Sequence, residues 1–144
     1  MILDTSPDWT LLSVLCRAPA ERLKVWAEVL LDGLQGGDVE VQHNATGLVL
    51  LPMADSVEGG PFLLGEVLVA EARVRLRSAE GYAAVLGRDL QQALAAALLD
   101  AATRLPEHAA QVQDWVDQER AAQWADDETL LREVEATRVE METF

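Results

Sequence analysis

The chain has 144 residues, 50% of them hydrophobic and 25% charged, the balance of one globular domain over residues 1-144 rather than a disordered or fibrous polymer. Asp and Glu number 25 against 11 Lys and Arg, a net charge of −14 that disfavours nucleic acid and anionic membranes as partners. A single cysteine, Cys16, excludes an internal disulfide. The first residues carry no basic and apolar leader, and no apolar run reaches the roughly 18 residues that span a bilayer, so a cytoplasmic protein is the default expectation.

The acidity is concentrated late. From Glu107 to Phe144 there are 11 acids and 3 bases, a net of −8, against −6 for the 106 residues before them. Such a segment is ordinarily a solvated helix face, and less often a docking surface for a basic partner.

In chain order, Ser6-Pro7-Asp8 offers a helix start, and Trp9, Leu12 and Cys16 follow at helical spacing. Cys16 reads as a small buried apolar residue on that stripe. Pro19 ends this helix and suits the first turn of the next, where Leu23, Trp26, Leu30 and Leu34 form an apolar face closed by glycines. The period then changes. Asp38 to Gln42 alternates as a half-buried strand, Thr46 to Leu51 reads as a second, more buried one, and Asp55 to Pro61 as a loop. From Glu66 alternation resumes, with Leu68, Ala70, Ala72, Val74 and Leu76 on one face and Val67, Val69, Glu71, Arg73, Arg75 and Arg77 on the other. Gly81 turns the chain into a strand from Tyr82 to Leu86. The expectation is an antiparallel sheet of about four strands.

The remainder is helical. Asp89 is a good N-cap, Gln92 completes a capping-box pattern, and Leu90, Leu94, Leu98 and Ala101 repeat through an alanine-rich segment. Pro106 ends it, a further helix carries Val112, Trp115 and Val116, and Asp126-Asp127 either caps a last helix or lies mid-helix. Helices, then strands, then helices make an α+β fold, the sheet flanked by N-terminal and C-terminal helices.

Catalytic templates fail on inventory. His43 and His108 are the only histidines and neither has a second ligand three or four residues away, so no metal site is expected. There is no nucleophile elbow, and no phosphate-cradling loop forms because Lys24 is the only lysine. No residue is assigned a catalytic role and no cofactor is expected.

Two features could hold an anion or a partner. Arg73, Arg75 and Arg77, spaced by two on a strand, would project three guanidiniums from one sheet face; the plainer reading pairs them with the chain's own acids. Gly87-Arg88-Asp89 stands where a strand meets a helix, and helix N-termini attract anions, but Asp89 as N-cap would occupy the same donors. Glu66 falls on the face expected to be apolar and needs a partner there; Arg88 is the expected one. Trp115 and Trp124 are candidate interface anchors, or else core residues.

The ordered set Thr46-Gly47-Leu48-Val49, Gly60-Pro61-Phe62-x-Leu64-Gly65-Glu66, Val74-Arg75-Leu76, Gly81-Tyr82 and Leu86-Gly87-Arg88-Asp89 resembles the PhnG family, a subunit of the bacterial carbon–phosphorus lyase system. The likeness reaches back to Ser13-Val14-Leu15 and forward to Thr137-Arg138-Val139-Glu140. Its motif residues include Gly65, Glu66, Gly87, Arg88 and Asp89. The resemblance implies a role in forming alpha-D-ribose 1-methylphosphonate 5-triphosphate from ATP and methylphosphonate, with adenine displaced. It implies that a PhnI-like subunit carries the catalysis, with PhnH- and PhnJ-like subunits in a larger assembly. This chain would then be a structural and interface subunit; the alternatives are an isolated homodimer or other homo-oligomeric scaffold, or an anion-binding protein. Where family members usually have basic residues, this chain has Met53-Ala54-Asp55-Ser56-Val57-Glu58 in the loop, Glu71 in the next strand and Leu90 after Gly-Arg-Asp, and its tail is shortened to Met141-Glu142-Thr143-Phe144, which removes positive charge.

Overall fold

A computed structural model describes residues 11–139 of the chain. Its elements are α1 (Leu11–Arg17), α2 (Ala20–Asp32), β1 (Val39–Ala54), β2 (Pro61–Leu76), β3 (Ala79–Leu86), α3 (Leu90–Ala102) and α4 (Pro106–Ala136). The α+β expectation holds, with three strands rather than about four: the sheet is antiparallel in the order β1-β2-β3. The cap expected at Ser6-Pro7-Asp8 and the stripe residue Trp9 lie outside the described residues.

The missing fourth strand has a specific cause. The two segments expected as separate strands are one strand, β1, interrupted by a bulge. Val41 pairs with Val74 and His43 with Arg73, so Gln42 is the extra residue. One extra residue reverses which parity faces the core. Before it Val39 and Val41 lie opposite Leu76 and Val74; after it Asn44 and Thr46 lie opposite Ala72 and Ala70. In sequence this looks like a break, yet the chain never turns back. The expected loop is also shorter, because β2 begins at Pro61. The Asp55 carboxylate accepts from the N–H groups of Val57 (3.1 Å) and Glu58 (3.3 Å), and Gly59 takes φ +70° to close the turn.

Helix α3 lies across β2 and β3 on one face of the sheet, and α1, α2 and α4 pack around it. Its apolar face is set by alanines more than by the expected leucines. Of the expected stripe, Leu98 and Ala101 are buried, Leu94 is half-buried and Leu90 is exposed, while Ala93, Ala96 and Ala97 beside it are fully enclosed. Gly81 explains the choice. A Cβ there would stand 2.0 Å from the Ala97 carbonyl oxygen and 2.6 Å from the Ala101 nitrogen. Helix and strand therefore touch backbone to backbone. On the same helix the buried Asp100 accepts from the Tyr82 N–H at 3.0 Å and pairs with Arg104 at 3.1 Å, so this carboxylate is partnered on both sides.

The two segments left open at the C-terminal end are one helix. Asp126 and Asp127 lie mid-helix in α4, and Arg17 donates to both carboxylate oxygens of Asp127, at 2.9 and 3.2 Å. Further polar contacts dock α4: buried Glu119 pairs with Arg22, and the Gln123 amide donates to the Val14 carbonyl at 2.9 Å. Trp115 stacks on Trp26 with ring centroids 5.6 Å apart, so it packs within the chain.

The Gly81 contact gives a direct test. Gly81→Ala must push backbone aside and is expected to cost about 3 kcal/mol, at the upper end for overpacking. Gly47→Ala, with nothing within 4 Å of the added carbon, should leave the urea midpoint nearly unchanged.

Candidate functional site

The expected anion cluster does not assemble as one group. β2 ends at Leu76, so Arg77 stands in the two-residue turn to β3, with φ +53°. Its N–H donates to the Asp38 carbonyl at 2.7 Å, and its guanidinium pairs with Asp38 and Glu107. The guanidinium's pKa is raised, chiefly by its hydrogen bond to Glu107. Arg75 pairs across the ladder with Glu40. Arg73 lies on the open sheet face between His43 and Tyr82 and makes no ion pair among the described residues. Burial first, and then Glu71, hold the Tyr82 hydroxyl above its ordinary pKa.

The strand-to-helix junction is a filled cap. Gly87, at φ +100°, donates its N–H to the Leu68 carbonyl at 2.9 Å and turns the chain out of β3. The Asp89 carboxylate accepts from the N–H groups of Gln91 (3.1 Å) and Gln92 (3.0 Å), and from Lys24 at 3.1 Å. The donors that would bind an anion are occupied by the chain's own carboxylate. The Gln92 side chain does not reach back to complete the capping box; it donates to the Ala18 carbonyl at 3.3 Å and ties α3 to the α1–α2 corner.

Glu66 and Arg88 do not meet. Both are exposed and no ion pair joins them. The apolar face expected around Glu66 runs past the end of the helical layer there, so its carboxylate stands in water and requires no partner. Gly65 lies opposite Leu51 just before a second bulge, after which Pro52 pairs with Leu63. Among the described residues no group of three His, Cys, Asp or Glu is placed to hold a metal ion. No described helix is long and apolar enough to cross a membrane. Cys16 is half-buried, and burial pushes its thiol pKa up.

What the structure brings out instead is uncovered apolar surface. β3 pairs with β2 only as far as Val69↔Leu86, so beyond that point β1 and β2 continue as a two-stranded ribbon from Leu48↔Leu68 to Ala54↔Pro61. At roughly 3.3 Å per residue this arm projects about 20–25 Å. Leu48, Leu50, Leu63 and Leu64 are 54–63% exposed, and Val57 at the tip is 87% exposed. A second strip lies on α4, where Trp124 on the outer side of the docked part and Leu130, Leu131 and Val134 beyond the Arg17–Asp127 contact are 57–68% exposed. Of the two tryptophans singled out in the sequence, Trp124 is therefore the one available to a partner. The sequence does carry the arm's signal: Leu48-Val49-Leu50-Leu51 and Phe62-Leu63-Leu64 are apolar on both faces of the ribbon. Periodicity alone attributes such runs to a core.

Asp89 makes the junction pH-sensitive. Its pKa is lowered, first by the Gln92 N–H and then by Lys24. A carboxylate held below its unfolded value stabilises above the unfolded pKa and loses that contribution as pH falls through the folded one. Asp89→Ala should cost about 1 kcal/mol at neutral pH. In denaturant titrations the gap between variant and parent should shrink as the pH falls through the carboxylate range.

Comparison with known proteins agrees with the ordered motifs. A family model described as "Phosphonate metabolism protein PhnG" matches residues 9–144. The chain is 38% identical over 105 residues to the "Alpha-D-ribose 1-methylphosphonate 5-triphosphate synthase subunit PhnG" of Rhizobium meliloti (strain 1021), covering 72% of this chain and 67% of that protein. A match along nearly the whole chain, with the Gly65-Glu66 and Gly87-Arg88-Asp89 segments now placed in one arm and one helix cap, leads to a single assignment: the chain belongs to the PhnG family.

Proposed function

We propose that this chain is a structural and interface subunit of a phosphonate-processing assembly. In that assembly it supports formation of alpha-D-ribose 1-methylphosphonate 5-triphosphate from ATP and methylphosphonate. Its partner in the first instance is a PhnI-like subunit, with PhnH- and PhnJ-like subunits in the larger complex. The observation that carries this reading is the 38% identity with a relative whose name makes it one subunit of a synthase. Two physical features support it. Most of the polar groups singled out in the sequence are spent on the chain's own folding: Asp89 on a cap, Asp100 on the Tyr82 N–H, Arg75 and Arg77 on acids. Meanwhile the arm and the end of α4 leave large apolar side chains in water, as a subunit destined for burial does.

Arg73 and Arg88, without an ion pair among the described residues, are where an anion-binding role would fall. In the proposed reading they are not substrate ligands. The isolated chain then binds neither ATP nor methylphosphonate at millimolar concentration, and Arg88→Ala assembles like the parent.

Native mass spectrometry of the chain, alone and mixed with the PhnI-like subunit of the same organism, tests the proposal. A discrete complex holding both chains is the expected result. A homo-oligomer that ignores the added subunit would overturn it.

A further inference from the structure

We infer that the β1–β2 arm is the docking element of this subunit, and that it enters an apolar groove rimmed by Lys and Arg on a different polypeptide of the assembly. The inference rests on the proposed function and names the surface and the chemistry of its partner.

Three observations converge on it. The arm is long and preformed. Its ladder is continuous from Leu48↔Leu68 to Ala54↔Pro61 apart from one bulge, and its tip is closed by the Asp55 carboxylate and the Asp55–Gly60 hydrogen bond of 2.9 Å. A preformed strand pair loses little conformational entropy on docking. Its two faces are both apolar: Leu48 and Leu50 alternate with Val49 and Leu51 along β1, all 40–63% exposed. An ordinary half-buried ribbon would be polar on one side. Covering only one face would leave the other wet, so the fit is to a groove that encloses the ribbon.

Charge selects the occupant. Residues 44 to 70 contain Asp55, Glu58 and Glu66 and no Lys, Arg or His. A second copy would bring the same carboxylates against these, on a chain already at −14. Edge-to-edge pairing of two arms through β1 is opposed by that repulsion. Pro52 opposes it too, because it lacks an N–H to donate. An apolar groove with a basic rim meets both requirements.

The test uses the full chain co-expressed with the other subunits. Leu50→Ser/Leu63→Ser removes apolar surface that is 54% and 60% exposed, so the fold should survive, as checked by circular dichroism and the urea midpoint. Incorporation into the complex should fall about 10-fold or more. Glu58→Lys/Glu66→Lys, which spares the Asp55 turn, should weaken association most at low ionic strength. A photo-crosslinking residue in place of Val57, in the otherwise unaltered chain, should link to another subunit; this readout stands even if the serine variant unfolds. Parent-like assembly of a folded serine variant, stronger binding on charge reversal, or crosslinks only between copies of this chain would each overturn the inference. If the unaltered chain joins no complex, it is the proposed function that fails.

Discussion

Helix α3 meets the sheet at Gly81 with no room for a side chain between them, and the remaining architecture is arranged around that contact. Close approach requires small residues on both sides, which is why Ala93, Ala96, Ala97 and Ala101 face inward. Alanines at such spacing bring strong helix propensity but little apolar area. Most of the larger buried side chains therefore come from around α3, which adds Leu99 itself: Val14 and Leu15 of α1, Leu23 of α2, Val112 and Val116 of α4, and Val74, Leu76 and Val85 of the sheet. The polar contacts follow the same logic. Asp100 leaves α3 on the strand side to take up the Tyr82 N–H, and Gln92 and Asp89 fasten the other end of the helix to Ala18 and Lys24.

A mismatch of lengths produces the exposed surfaces. Thirteen residues of helix cover about 20 Å, whereas the sixteen residues of β1 or β2 extend for about 50 Å. One α3 cannot roof such strands, and β3 stops with it. The two longer strands thus continue as an arm. The α4 helix, about 46 Å long, overhangs in the same way and carries Leu131 and Val134 past its last contact with α1 at Asp127. Both projections are places where elements outrun the helix or sheet that would cover them.

The charge distribution completes this division. With acids in more than twofold excess over bases, most arginines meet acids of their own chain: Arg17 with Asp127, Arg22 with Glu119, Arg77 with Asp38 and Glu107. The exposed pairs contribute little each, but with the buried Glu119, which needs Arg22 as its partner, they fix where α4 and the sheet turn sit. Apart from Arg73 and Arg88, what remains for the outside is mainly acid and apolar surface. That combination suits a subunit that docks on a basic, apolar neighbour better than one that grips phosphates itself.

Much of this was legible from residue order. Asp89 identifies its own cap, Pro19 and Pro106 open their helices, and the alternation from Ala70 to Leu76 gives the core face of β2, because each is a local rule acting within a few residues. The ordered motifs carried the family as well. The sequence could not disclose the bulge at Gln42, since a one-residue shift of parity and a chain reversal look alike without a partner strand. Nor could it separate Ala96 and Ala97 from Leu90 and Leu94 as the packed face, a choice made by Gly81 from a different element. Leu50, Leu63 and Glu66 show the same division. Their chemistry is fixed by the sequence, but whether an apolar run is core or docking arm depends on how far the covering helix reaches, and only the tertiary structure decides that.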